Sequence, residues 1–112
     1  MMTSKYREDV KATLDGLLLG LPMVRAGKMF GYAAYYVKGK LFACVYGDGV
    51  GLKIPEQVAN ALLDSEGIIP FQPMGRNRMR EWIQINRGSA EDYMDDIEIL
   101  QTSANYVASL AK

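Results

Sequence analysis

Apolar side chains recur along this chain with two different periods. Over residues 5–19 they fall at Tyr6, Val10, Leu14, Leu17 and Leu18, the four-and-three spacing that lines one face of a helix. Ser4 stands at the cap position, Glu8 and Asp9 sit near the positive helix end, and Gly20 with Pro22 stops the element. The period then becomes two. Residues 32–37 are rich in aromatic and β-branched side chains, Lys38-Gly39 makes a tight reversal, and residues 41–46 return as the partner strand. In that partner Leu41, Ala43 and Val45 are expected on one face, and Phe42, Cys44 and Tyr46 on the other. Both faces are apolar, which places the strand near the centre of a sheet. Gly47-Asp48-Gly49 turns the chain again, and Val50, Leu52 and Ile54 alternate with Gly51 and Lys53 in a third strand with one dry face.

A second helix follows from Pro55, with Val58, Ala59, Leu62 and Leu63 on its apolar side and Ser65-Glu66-Gly67 closing it. A short strand is predicted at 68–71. QPMGRNRM then reads as a loop, and residues 80–86 resume a strand. Ser89 caps a long final helix with Glu91 and Asp92 in its first turn, and Tyr93, Ile97, Leu100, Ala104, Val107 and Ala111 form one seam along it. The order α-β-β-β-α-β-β-α predicts an α+β domain, a mainly antiparallel five-stranded sheet with flanking helices. No internal repeat or second linker interrupts residues 1–112, so one domain is expected.

Composition narrows the function classes. A hydrophobic fraction of 49% with 23% charge is ordinary for a globular protein, and thirteen basic and thirteen acidic side chains cancel. No global field draws the chain toward nucleic acid or an anionic membrane. The opening MMTSKYREDV is charged where a signal peptide is apolar. No apolar run approaches the roughly 20 residues of a membrane helix. A cytoplasmic address is expected, without a membrane partner. Cys44 is the single cysteine and lies in the apolar run LFACVY, the setting of a small buried hydrophobe. Histidine is absent, which removes Ser-His-Asp and Cys-His triads and the usual zinc sites. Any enzyme chemistry here falls to carboxylate, lysine or tyrosine side chains, and no cofactor motif is present.

The candidate binding residues are Met29, Phe30, Gly31, Lys53, Arg76, Arg78 and Arg80. Met29-Phe30-Gly31 reads either as a binding lip or as a backbone device, a glycine of unusual torsion whose neighbours plug the core edge. Arg76, Arg78 and Arg80 alternate, so an extended loop would present three guanidinium groups on one face, suited to phosphates or carboxylates. The adjacent Glu81 and the neutral net charge favour a solvated loop. Lys53 is expected to point into water or to pair with an acid. Trp82 and Tyr35 offer rings for base stacking, though aromatic residues in strands are more commonly core or interface. Asp92, Asp95 and Asp96 fall at spacings of three and four, so two or three carboxylates share a helical face and read as a candidate Mg²⁺ site. The plain electrostatic reason for acidic residues at a helix start is favoured over it. Tyr32, Tyr35, Tyr36 and Tyr46 crowd the hairpin, which points to a homodimer through the sheet or the final helix.

Met29-Phe30-Gly31, the hairpin Val37-Lys38-Gly39-Lys40 with Phe42-Ala43, then Leu52-Lys53, Pro70-Phe71 and Gly75 resemble the N-terminal domain of the TfoX/Sxy family of competence regulators. The resemblance spans residues 25–85. It implies a small α+β domain grouped with secretion-chaperone-like folds, often a stand-alone bacterial protein. Tyr32 stands where such proteins commonly carry a second glycine, and Gly88-Ser89-Ala90-Glu91 where they carry a proline-acidic segment. No helical C-terminal domain is read here, so a role in activating transcription is not carried over, and the resemblance supplies no catalytic residue. The resulting expectation is a non-enzymatic binding or regulatory domain acting through contacts with an unidentified protein partner. The alternative is a nucleic-acid-associated protein using the 76–80 loop.

Overall fold

The structure is a computed structural model that describes residues 6–75, 77 and 79–111, with the backbone alone at Met74. The helices are α1 (Glu8–Leu18), α2 (Glu56–Leu62) and α3 (Ile97–Leu110). The strands are β1 (Val24–Met29), β2 (Tyr32–Val37), β3 (Lys40–Tyr46), β4 (Gly49–Lys53), β5 (Ile68–Pro70) and β6 (Trp82–Asn86). They form one six-stranded sheet in the order β1-β2-β3-β4-β6-β5, and every neighbouring pair runs antiparallel. The α+β class holds, with six strands in place of the expected five.

The additional strand is β1. Its sequence VRAGKM carries two cations and a glycine, so no alternation marks it, and its pairing to β2 makes it a strand. The two are joined by a two-residue turn in which Phe30 and Gly31 take φ of 50° and 86°, and the β2–β3 turn repeats this at Lys38 and Gly39 with 51° and 79°. Positive φ at both central positions gives the turn whose twist matches a hairpin, and glycine at the second position relieves the strain. Backbone geometry thus accounts for Gly31.

The β2–β3 register corrects the expected facing of β3. Tyr35 pairs with Ala43 but Tyr36 pairs with Leu41, which leaves Phe42 as an extra residue in a bulge. The bulge shifts the alternation by one. Phe42 therefore joins Ala43 and Val45 in the main core, while Leu41 turns to the opposite face with Cys44 and Tyr46. The Ser103 hydroxyl of α3 lies 2.5 Å from the Lys53 carbonyl and 3.2 Å from that of Phe42, so a buried helix hydroxyl serves the irregular backbone.

The main core lies on one face of the sheet. Val10, Leu14 and Leu18 of α1, Ala59 of α2, and Leu100, Ala104 and Val107 of α3 pack there against Val37, Phe42, Val50, Leu52, Ile83 and Ile85. Each fully buried aliphatic side chain contributes about 1.5–3 kcal/mol. The helix α1 starts at Glu8 with Arg7 as its N-cap, later than expected, and Ser4 lies outside the described residues. The final helix is also shorter than expected: Ser89 opens a 3₁₀ stretch over Ala90–Asp96, and α3 begins only at Ile97. Two ties fasten this stretch to the end of β6. Tyr93 donates its hydroxyl to the Ile85 carbonyl at 3.0 Å and accepts from the Arg87 N–H at 3.2 Å, and the Asp96 carboxylate takes both Arg87 Nε and Nη2 at 2.9 and 2.7 Å. Among the described residues no helix is long and apolar enough to cross a membrane.

Candidate functional site

Among the described residues no α-helix packs on the opposite face of the sheet. Its cover comes from Phe71, Pro73 and Met79, between β5 and β6, and the reason is local. Gly49 and Gly51 occupy the positions of β4 that face this side, while Val50 and Leu52 fill the core. The missing side chain at Gly51 leaves a trough, and the Phe71 ring lies in it, only 2.8 Å from where a Cβ on Gly51 would stand. Phe71 is buried there with Ala34 and Cys44, and Met29, Tyr36, Leu41, Tyr46, Met79 and Trp82 pack around them. A row of rings crosses the strands: Tyr32 to Tyr46 at 4.8 Å between centroids, Tyr46 to Phe71 at 5.6 Å edge-on, and Phe71 to Trp82 at 5.4 Å. Such offset and edge-on pairs add about 0.5–1.5 kcal/mol each beyond their buried area.

Beside this row is a cup of about 180 Å³ lined by Met29, Phe30, Leu41, Phe71, Pro73, Met79 and Trp82. A cavity of roughly 150 Å³ holds a benzene-sized group, so the cup fits one apolar side chain or a ligand of that size. None of its lining residues titrates. Phe30, at the apex of the β1–β2 turn, is 71% exposed at the cup's lip. Next to the cup, across Leu41 and Trp82, is a cleft of about 310 Å³ that includes Lys40 and Lys53. Lys53 Nζ is 3.8 Å from the Glu81 carboxylate, and the other oxygen of Glu81 accepts from the Tyr106 hydroxyl at 2.5 Å. That hydrogen bond raises the pKa of the Tyr106 phenol.

The sequence-predicted residues are thus divided. Met29 and Phe30 meet in the cup with Gly31 at the turn beside them, and Lys53 lines the neighbouring cleft. Arg80 is exposed, 4.0 Å from Glu56, and Arg76 and Arg78 lie outside the described residues. Tyr35 leaves the group of hairpin tyrosines: it is 1% exposed in the helix-side core, where its hydroxyl donates to Asp15 at 2.6 Å, so its ring is not available for stacking. Burial, aided by that bond, pushes its pKa up. Asp96 leaves the acidic helical face, being buried against Arg87, and among the described residues no group of three potential metal ligands is assembled. Burial pushes the Cys44 thiol up to about 12, which makes it inert. Leu41, Phe71, Pro73, Met79 and Trp82 complete the cup without having been chosen for it. The signal was present in β4, because a strand with glycines on one face must draw its cover from elsewhere in the chain.

These features define an α+β domain whose antiparallel sheet is backed by helices on one face and, among the described residues, by a cluster of aromatic and aliphatic side chains on the other. The sequence model of the TfoX N-terminal domain matches residues 16–106, and the chain belongs to that family. The match extends beyond the resemblance at 25–85 into α1 and α3. No curated protein and no solved structure matches the chain.

Proposed function

We propose that the chain is a non-enzymatic regulatory domain of the cytoplasm that acts by binding a protein partner through the helix-free face of its sheet. The observation that carries this reading is the cup: an apolar recess without a titratable group, with the exposed Phe30 ring at its lip. An exposed aromatic ring with half-buried methionine and tryptophan side chains around a recess is the composition of a protein contact. Tyr32, Tyr36 and Tyr46 lie on the same face, each half-buried. Membership of a family of competence-associated regulators agrees with a regulatory role. A second copy of the chain is the simplest partner.

The test compares the wild-type chain with Phe30→Glu and Met79→Glu in sedimentation at high concentration and in affinity capture from native lysate. Loss of self-association, or of a captured protein, in both variants supports the proposal. A wild-type chain that stays monomeric and captures the same proteins as the variants overturns it. Salt-sensitive retention of nucleic acid that disappears on Arg76→Ala with Arg78→Ala would replace it with the nucleic-acid reading, since phosphate contacts weaken steeply with salt.

A further inference from the structure

The two edges of the sheet are built differently. β5 is three residues long and ends in Pro70, which lacks an N–H donor, so that edge is blunted. β1 is six residues long, free of proline, and exposed from Arg25 through Lys28. The Lys38 N–H donates to the Met23 carbonyl at 3.3 Å, which sets the ladder parity: Met23, Arg25, Gly27 and Met29 turn their backbone groups toward β2, and Ala26 and Lys28 turn theirs outward. One outward group is already engaged. The Tyr36 ring crosses β1 over Gly27, where a Cβ would lie 3.0 Å from it, and its hydroxyl donates to the Lys28 carbonyl at 2.9 Å.

The charge around this edge is one-sided. Between Gly16 and Gly47 the chain has Arg25, Lys28, Lys38 and Lys40 and no acidic residue. With thirteen charges of each sign in the chain, the remainder holds nine cations against thirteen acids. All four side chains are exposed, and none takes part in an ion pair among the described residues.

We infer that the β1 edge is a docking site for an extended acidic polypeptide segment, which adds to the sheet as a strand beside β1. An edge strand offers donors and acceptors in alternation, a pattern that another strand matches and a phosphate backbone, which has acceptors only, does not. A second copy is disfavoured. Pairing β1 with itself would gather Arg25 and Lys28 from both chains into one ladder with no acid between them. The same cations that repel a like edge select an acidic one. Arg25 and Lys28 are three residues apart and therefore lie on opposite faces of the sheet. The fitting segment carries two acidic residues at that same spacing, one over each face. This surface adjoins the cup at Met29 but does not depend on it.

The test uses a blocked decapeptide of alternating valine and threonine with two glutamates three residues apart, and a counterpart with lysines in place of the glutamates. Binding to the whole chain is followed by amide shifts in NMR, with peptide up to about 1 mM, a concentration that detects even weak complexes. The acidic peptide should shift Ala26 and Lys28, weaken as salt is raised, and outbind the lysine peptide at least about tenfold. Ala26→Pro removes an outward N–H that the native ladder does not use, so the fold is retained while binding falls about tenfold or more. Arg25→Glu with Lys28→Glu, both exposed, should reverse the preference toward the lysine peptide. Equal binding of the two peptides, no binding of either, insensitivity to Ala26→Pro, or shifts at this edge produced by single-stranded DNA or by self-association instead would overturn the inference.

Discussion

Adding one methyl group at Gly51 tests whether the helix-free face is organised by an absent side chain. In Gly51→Ala the new carbon arrives 2.8 Å from Cε1 and Cζ of Phe71 and 3.0 Å from Cε2, whereas carbon contacts settle at about 3.5–4.0 Å. The ring must recede by roughly 1 Å. Tyr46 and Trp82 flank it at 5.6 and 5.4 Å between centroids, so it moves off the sheet and lifts the wall of the cup. Two effects oppose each other. Alanine in place of glycine within a strand is favourable by about 0.5–1 kcal/mol. Overpacking costs about 1–3 kcal/mol, and loosening the two ring pairs costs a further fraction of about 0.5–1.5 kcal/mol each. The clash wins, and the expected net loss is about 1–2 kcal/mol. With a urea slope of about 1–3 kcal/mol per molar, the midpoint falls by about 0.5–1 M. Trp82 is the only tryptophan, so its emission should shift to the red as Phe71 withdraws. In a Phe71→Leu background the smaller side chain relieves the clash, and the same methyl group should then cost much less, a coupling read by a double-mutant cycle. A midpoint that is unchanged or raised, or an equal loss in the Phe71→Leu background, would refute the reasoning.

Asp96→Asn leaves the Arg87 guanidinium without its bidentate carboxylate. Because Arg87 keeps a quarter of its side chain in water while Asp96 is 6% exposed, the loss should be about 2–3 kcal/mol, below the range for a fully buried pair, measurable as a lower urea midpoint. Ser103→Ala removes the one hydroxyl that reaches the Lys53 and Phe42 carbonyls and should cost about 1–2 kcal/mol, with the urea slope unchanged. Stability should also fall at high pH. Cys44 has a folded pKa pushed up to about 12 by burial against about 8.5 when unfolded, so its contribution is complete below the unfolded value and is lost as pH rises from there through the folded value. The slope of midpoint against pH between about 9 and 11 should be shallower in Cys44→Ala than in the wild type; parallel slopes would contradict the assignment.

The periodic elements were legible because their signal is local. The stripe Val10, Leu14, Leu18 and the seam Leu100, Ala104, Val107 recur at helical spacing and are buried as that spacing implies. Val50, Leu52 and Ile54 alternate and enter the core as expected, although β4 is buried on both faces rather than one because Phe71 covers its glycines. Lys38-Gly39 announced its turn by composition. The strand β1 was not legible, since VRAGKM has neither alternation nor β-rich composition and owes its conformation to hydrogen bonds with β2. Only Met29 and Phe30 of the cup were legible, and the rest was not, for the same reason. Met29, Phe30 and Gly31 stood out as a binding lip or a backbone device, but that they form a turn, and that Phe71, Met79 and Trp82 reach Met29 and Phe30, is decided only after the chain has closed across the sheet.

By itself, then, the amino-acid order determined the class of the fold, the helix stripes, the hairpin turns and the exclusion of imidazole chemistry, all of which depend on residue type and on neighbours a few positions away. Tertiary structure alone decided which face each residue of β3 serves, because one extra residue at Phe42 reverses the alternation only when two strands are set in register. It alone placed Phe71 over Gly51 and Asp96 against Arg87. Those pairs are distant in sequence, and their energies depend on shape and burial, which no local pattern encodes.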